Sequence, residues 1–212
     1  MRGVIRWIIP ALAISLITTI PVGCDSNDQS SPAPPASASS AQHFTSQVFS
    51  VPFTARVPAS LAPRPSEDTK TLISWRAVGG ENGVRFLLPV VIYRPDSTTP
   101  QPPPSDYPSY MRGLVGAGAT FADQSTTTVD GHEAILMTGT TSRALDGTLG
   151  CPAATTPVAV CFGLQPDVAL RIAVVGLDGR TLLAWARTQA GAPDTAEFFA
   201  AFETMLHDLQ LR

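Results

Sequence analysis

Lysine is nearly absent from this chain. Lys70 stands alone beside 13 arginines, and 17 acidic residues against 14 basic ones leave a formal net charge of −3. A nucleic-acid surface needs dense basic side chains to neutralise phosphates, so nucleic acid is excluded as a partner. Charged residues of both signs reach only 15%, while apolar types make up 44% of the 212 residues. A disordered chain shows the opposite balance. Three cysteines are too few for a disulfide-dense scaffold. Histidine is equally scarce: His43, His132 and His207 are scattered and form no cluster in sequence. His132-Glu133 opens like the zinc-protease motif H-E-x-x-H, but Leu136 stands where the second histidine belongs. The glycines Gly113, Gly116 and Gly118 close a helical pattern instead of opening one, and the phosphate-loop lysine is missing. G-x-S-x-G and S-x-x-K are absent too. What is left is one ordinary globular domain with an N-terminal extra, and neither a cofactor nor a metal is expected.

The extra reads as a targeting segment. Arg2 and Arg6 make a basic start, and residues 7–22 are apolar apart from a few Ser and Thr. Sixteen residues are short for a bilayer-spanning helix, which needs about 20, and suit the h-region of a secretory signal. The stretch ends at Pro21-Val22-Gly23-Cys24, with Asp25 next. A small residue before a cysteine at the point where polarity switches on resembles the lipobox of bacterial lipoprotein precursors. That family prefers Leu where this chain has Pro21. The resemblance implies lipidation of Cys24, which becomes the new N-terminus at the outer face of the cell membrane. The other reading is an ordinary signal peptide, or an uncleaved anchor that happens to contain a cysteine. Residues 1–23 are then the signal peptide. The mature chain carries 12 basic and 17 acidic residues, or −5, so lipid and not a polybasic patch would hold it to the membrane. Residues 24–42 are the lipidated cysteine and a Ser/Pro/Ala-rich tether; its 18 residues after Cys24 can reach about 55 Å in extended form.

Residues 43–212 form the domain. Apolar alternation from Phe49 onward predicts a strand over 47–57, with Pro52 suggesting an edge or a bulge. Further strands are predicted over 71–78 and 84–93, followed by a stiff proline-rich loop over 95–104. Tyr107, Tyr110, Met111, Leu114 and Val115 share one helical face, with Ser105 as the expected cap and Gly116 and Gly118 ending the helix. Strands over 120–129 and 133–141 flank Asp130-Gly131, a hairpin signal. Residues 142–166 read as a long irregular excursion. A second hairpin joins 167–175 to 180–188. The closing helix carries Phe198, Phe199, Phe202, Met205, Leu206 and Leu209 as one stripe, with Asp194 and Glu197 imitating a capping box. The expected class is therefore α+β: a twisted antiparallel sheet with two amphipathic helices packed on it, one on each face.

This strand order, the VDGHEA hairpin at Val129 to Ala134 and the FFAAFETML helix at Phe198 to Leu206 resemble the PsbP-like proteins, including the LpqN-type lipoproteins of mycobacteria. The resemblance spans roughly residues 47–212. It implies an α/β/α sandwich and an accessory or binding role. The Arg-to-Lys ratio of 13 to 1, with abundant Ala, Pro and Thr, suits a GC-rich actinobacterium.

With Cys24 lipidated, Cys151 and Cys161 remain, nine residues apart, and an oxidising compartment predicts a disulfide between them. Four residues stand out as binding candidates. Trp75 and Trp185 lie in strands, where core packing and a ligand groove are the two available roles. Arg171 lies inside an apolar strand; pointing inward it needs a carboxylate, with Asp167 and Asp146 nearby, and pointing outward it is simply solvated. Asp146 belongs to the 145–151 segment, which is dense in turn, acidic and cysteine residues, and long ordered loops often carry function. The function these features favour is a lipid-anchored, exported, non-catalytic binding or accessory module with a protein partner. A carrier of a hydrophobic small molecule between sheet and helix is the alternative. A hydrolase with a Ser-His-Asp site assembled from distant residues ranks third.

Overall fold

The computed structural model describes residues 41–212. Cys24, the signal segment and nearly all of the tether lie outside the described residues. The chain begins with β1 (Gln42–Thr45), β2 (Phe53–Val57), β3 (Glu67–Asp68), β4 (Leu72–Arg76) and β5 (Gly83–Leu87). Helix α1 (Tyr107–Gly113) follows, continued by a 3₁₀ turn, and then β6 (Ala119–Val129), β7 (His132–Thr141) and β8 (Leu145–Gly150). The remainder is β9 (Phe162–Leu164), β10 (Val168–Leu177), β11 (Arg180–Gln189), α2 (Thr195–His207) and β12 (Gln210–Leu211). The expected α+β class holds: a mostly antiparallel sheet with two helices.

The main sheet runs β3-β4-β5-β11-β10-β7-β6, and all its pairs are antiparallel. Its centre is the β10–β11 hairpin, paired over its whole length from Val168↔Gln189 to Leu177↔Arg180. Residues 169–175 and 182–186 are buried without a break, so both faces of these strands are covered. One face carries Ile73, Trp75, Phe86, Ala173 and Ala184 and packs on Phe198, Phe202, Met205 and Leu206 of α2. The other carries Leu87, Met137, Ile172, Leu183 and Trp185 and packs on Tyr107 and Met111 of α1 and on Leu145, Leu149 and Leu164 of the 142–166 excursion. The helices thus lie on opposite faces, as the two stripes require.

Both predicted hairpins form. Asp130 (φ 48°) and Gly131 (φ 80°) are both left-handed, which is the type I′ requirement that makes Asp-Gly a hairpin signal. Elsewhere the structure departs from the pattern. Of the strand expected over 47–57, only Phe53–Val57 is extended, because Pro52 cannot donate to a ladder. Phe49 and Val51 are buried all the same. This strand leaves the main sheet and pairs with β1 and with β12, near the C-terminus. β5 stops at Leu87 and not near Tyr93, since Pro89 interrupts it. Val91 and Ile92 turn away to bridge Cys151 and Gln101. The α1 cap is Asp106, not Ser105: its carboxylate accepts from the Ser109 amide at 2.9 Å, and the Ser109 side chain together with that amide holds its pKa below the usual carboxylate range. At α2, Asp194 holds the cap position without a side-chain cap bond; its carboxylate accepts instead from Asn82 Nδ2 at 3.1 Å.

The 142–166 excursion is not irregular. β8 and β9 pair within it, and the Cys151–Cys161 disulfide closes its loop. Both cysteines are buried against Tyr93. The Val90 amide donates to the Cys151 carbonyl and the Cys151 amide to that of Val91, both at 2.9 Å, so the crosslinked loop is sewn to the chain beyond β5. Crosslinking so short a loop restricts the unfolded chain by about 2–3 kcal/mol. Reduction, or Cys151→Ser with Cys161→Ser, is expected to lower the unfolding free energy measured in urea by that amount; reduction then has no further effect on the double variant.

Candidate functional site

The four candidate residues separate onto the two faces of the sheet. Trp75 is fully buried on the α2 face, edge-on to Phe44 and Phe86 with centroids at 5.0 and 5.8 Å. It is core, and no groove reaches it. Arg171 points inward on the same face, its side chain 9% exposed. The carboxylate it needs is Glu203 of α2, with Nε donating to Oε1 at 2.7 Å; it is neither Asp167 nor Asp146. Nη1 also donates to the Asp123 carbonyl at 2.9 Å and to Thr138 Oγ1 at 3.3 Å. The β6 register shifts between Ala122 and Ser125, and Asp123 within that shift is left-handed at φ 51°. The bulge turns a carbonyl onto the guanidinium. Arg171 therefore ties β10, β7, β6 and α2 together.

Trp185 and Asp146 come to the opposite face, beneath the excursion. Gln165 links their surroundings: its Nε2 donates to Asp146 Oδ1 at 2.6 Å, and it lines a niche of about 120 Å³ beside Trp185. The niche walls include Phe162, Arg85 and Arg187. Register across the sheet explains the grouping. Arg85 is opposite Trp185 on β11 and Ser74 on β4, so all three share a face. Gly83, the next β5 residue on that face, lies between Arg187 and Arg76. Phe162 is brought over the sheet by β9, which lies so close to β8 that a Cβ at Gly163 would strike the Leu145 carbonyl oxygen. Its ring packs edge-on to Trp185 at 5.2 Å and sits under the Arg85 guanidinium at 5.4 Å.

Electrostatically the niche is cationic and poorly compensated. Arg85 is half-buried, and its Nε is enclosed without a hydrogen-bond partner. Burial pulls its pKa down, Arg187 and Arg76 add to the fall, and Glu67 opposes it. Arg187 donates to the Glu81 carbonyl at 3.1 Å and lies 3.7 Å from the Glu81 carboxylate, whose side chain is 86% exposed. Arg85, Arg187 and Phe162 are not among the residues that the sequence pattern singles out. Arg85 carries the signal that drew attention to Arg171, an arginine inside an apolar strand. Phe162 carries none, since its position depends on the packing of β9.

Other concavities lie elsewhere on the surface. The largest, about 730 Å³, is an open groove between Leu88, Pro89, Pro103, Pro104 and the β10–β11 turn, with Arg180 as its charged residue. His43 and His207 do meet, with Asp130 and Asp208, around a hollow of about 350 Å³, and His132 lines a neighbouring one. Among the described residues no three His, Cys, Asp or Glu side chains are placed to hold a metal ion. Between sheet and α1 the space is filled by Tyr107, Met111 and Leu114.

Removing the partner of Arg171 leaves a buried cation with neutral acceptors only. Because Glu203 is one-third exposed, the cost is below that of a fully buried pair: Glu203→Ala is expected to lose about 2–3 kcal/mol. Glu203→Gln, which keeps an acceptor for Nε, loses less. Urea unfolding of the two variants checks this order.

No known family matches the chain, and no curated protein matches it. Among solved structures it is similar to cyanobacterial PsbP from Synechocystis, with a TM-score of 0.44 and 12% identity over 86% of this chain and 99% of that one. It is similar also to the Saccharomyces cerevisiae Ran-binding protein Mog1p, with a TM-score of 0.43 and 10% identity over 81% and 96%. A Bacteroides thetaiotaomicron structure follows at TM-score 0.40 and 8% identity; the chain covers 76% of itself and 45% of that structure's length.

Proposed function

We propose that the protein is an exported bacterial lipoprotein, anchored through acyl chains on Cys24, that serves as a non-catalytic binding or accessory module at the outer face of the cell membrane. The niche beneath the disulfide-tied excursion is its binding surface. One observation carries the binding role: Arg85 is half-buried, stacked on Phe162, and makes no hydrogen bond within the described residues. A guanidinium stays protonated, so it holds and orients a ligand without moving a proton. The buried Cys151–Cys161 bridge supports export, since disulfides persist in oxidising compartments. The basic start, the apolar run of residues 7–22 and the polar switch at Cys24 support lipid anchoring. No helix of the described residues is long and apolar enough to cross a membrane. An antiparallel sheet with one helix on each face supports placing the domain with the PsbP-like sandwiches. The arginine-rich, lysine-poor composition supports an actinobacterial source.

Intact mass spectrometry of the full chain made in its native or a related host tests the anchor. The expected species begins at Cys24, carries added acyl mass and lacks two hydrogens for the Cys151–Cys161 bridge. Cys24→Ala is expected to abolish the acyl mass. A chain that keeps residues 1–23, or that begins elsewhere without acylation, overturns the anchoring.

A further inference from the structure

We infer that the niche is a receptor for a phosphate group, with Arg85 as its principal donor and Arg187 as its second. The inference rests on the binding-module reading and names the chemistry that module would take. It begins from how this chain treats its other arginines. Arg143 grips both carboxylate oxygens of Asp96 at 2.8 Å, Arg171 is held by Glu203 and two further acceptors, and Arg94 donates to Gln101 at 2.7 Å. Arg187 donates to the Glu81 carbonyl, so Arg171 and Arg187, which like Arg85 are not exposed, both have protein acceptors, while the exposed Arg64, Arg76 and Arg180 are left to solvent. Arg85 is half-buried among apolar and aromatic groups, yet no acceptor meets its fork among the described residues. A guanidinium whose Nε is enclosed and unsatisfied, with the rest of its fork turned to an open niche, gains from an acceptor that enters there.

The surroundings specify the acceptor. Phe162 lies under the guanidinium and fixes its plane, so the fork is oriented before anything binds. Arg187 lines the same niche, and the exposed Arg76 stands across Gly83 from it, outside the niche. Against these cations stand Glu67, opposite Ser74 on β3, and Glu81, and both are exposed. Asp146 is occupied by Gln165. The niche therefore combines converging positive charges with a volume of about 120 Å³, room for one compact oxyanion and not for the body of a larger molecule. A phosphate group carries a charge near −2 and three acceptor oxygens, enough to engage two guanidinium forks; a carboxylate offers a single charge and two oxygens. The rest of a ligand would lie outside, over the exposed rim at Arg76 and Glu81.

The test follows the Arg Nε–Hε and Trp indole NMR signals of the isotope-labelled full chain at low ionic strength. The probes are inorganic phosphate, acetate and sodium chloride at matched ionic strength, and phosphatidylcholine vesicles with and without phosphatidic acid. The expected result is a saturable shift of the Arg85 and Trp185 signals with inorganic phosphate, larger than with acetate or chloride. A shift only with vesicles containing phosphatidic acid supports the same receptor with a lipid headgroup as the source. Arg85→Gln is expected to weaken binding at least about tenfold, and Arg85→Lys by less, because charge survives while the fork is lost. Arg56→Gln, on an exposed arginine outside the niche, is expected to leave binding unchanged. An unaltered indole signal of Trp75, buried on the opposite face, certifies that the unliganded variants fold. Equal shifts with all three salts, or none with any probe, overturn the phosphate receptor. A chain that fails these probes yet carries the acyl mass at Cys24 keeps the anchored-module reading and loses this one; a phosphate-binding chain without acylation does the reverse.

Discussion

The β10–β11 hairpin has no face to give to water. Ten residue pairs join its strands, and the middle of each is buried on both sides. Everything else follows from covering those two faces. α2 covers one, assisted by β2; α1 covers the other, assisted by the 142–166 excursion. Burial of apolar area is the dominant favourable term in folding, so elements with an apolar stripe and no other partner dock where such area is open. The disulfide belongs to this arrangement. It lies buried in the cover of one face, where it closes the loop between the paired strands β8 and β9.

Two arginines inside the sheet show how the same demand is met in different ways. Arg171 and Arg85 both interrupt apolar strands, and both turn onto a covered face. Arg171 meets a carboxylate on α2 and a carbonyl turned toward it by the β6 bulge, so its charge becomes part of the packing. Arg85 meets an aromatic ring and a second cation, so its charge stays available. The first is a structural tie and the second a receptor. The difference lies in the element that happens to cover each one.

Much of the architecture was legible in the chain. Period-two and period-3.6 patterns located seven strands and both helices, because each has to hide a stripe. Asp130-Gly131 marked its hairpin through a backbone requirement that few residues meet. The short elements β1, β3, β8, β9 and β12 were not legible. Each is two to six residues long, too short to show a period, and β12 gains its partner β2 only from distant chain. Of the four candidate residues, Trp75 and Arg171 prove to be packing, while Trp185 and Asp146 lie around the niche. Arg187 and Phe162 entered that niche through register and through the closeness of β9 to β8, which no local pattern records.

The sequence by itself determined most of the segments that must be buried, the turns and the pairing of the two domain cysteines. These depend on local spacing and on the count of available partners. The tertiary structure alone decided which carboxylate answers Arg171, which strand leaves the main sheet, and that the enclosed Nε of Arg85 has no acceptor among the described residues. Those outcomes depend on what stands across a strand or under a loop far away in the chain. Charge satisfaction is a property of neighbours in space, and here the neighbours come from β5, β9 and β11 together.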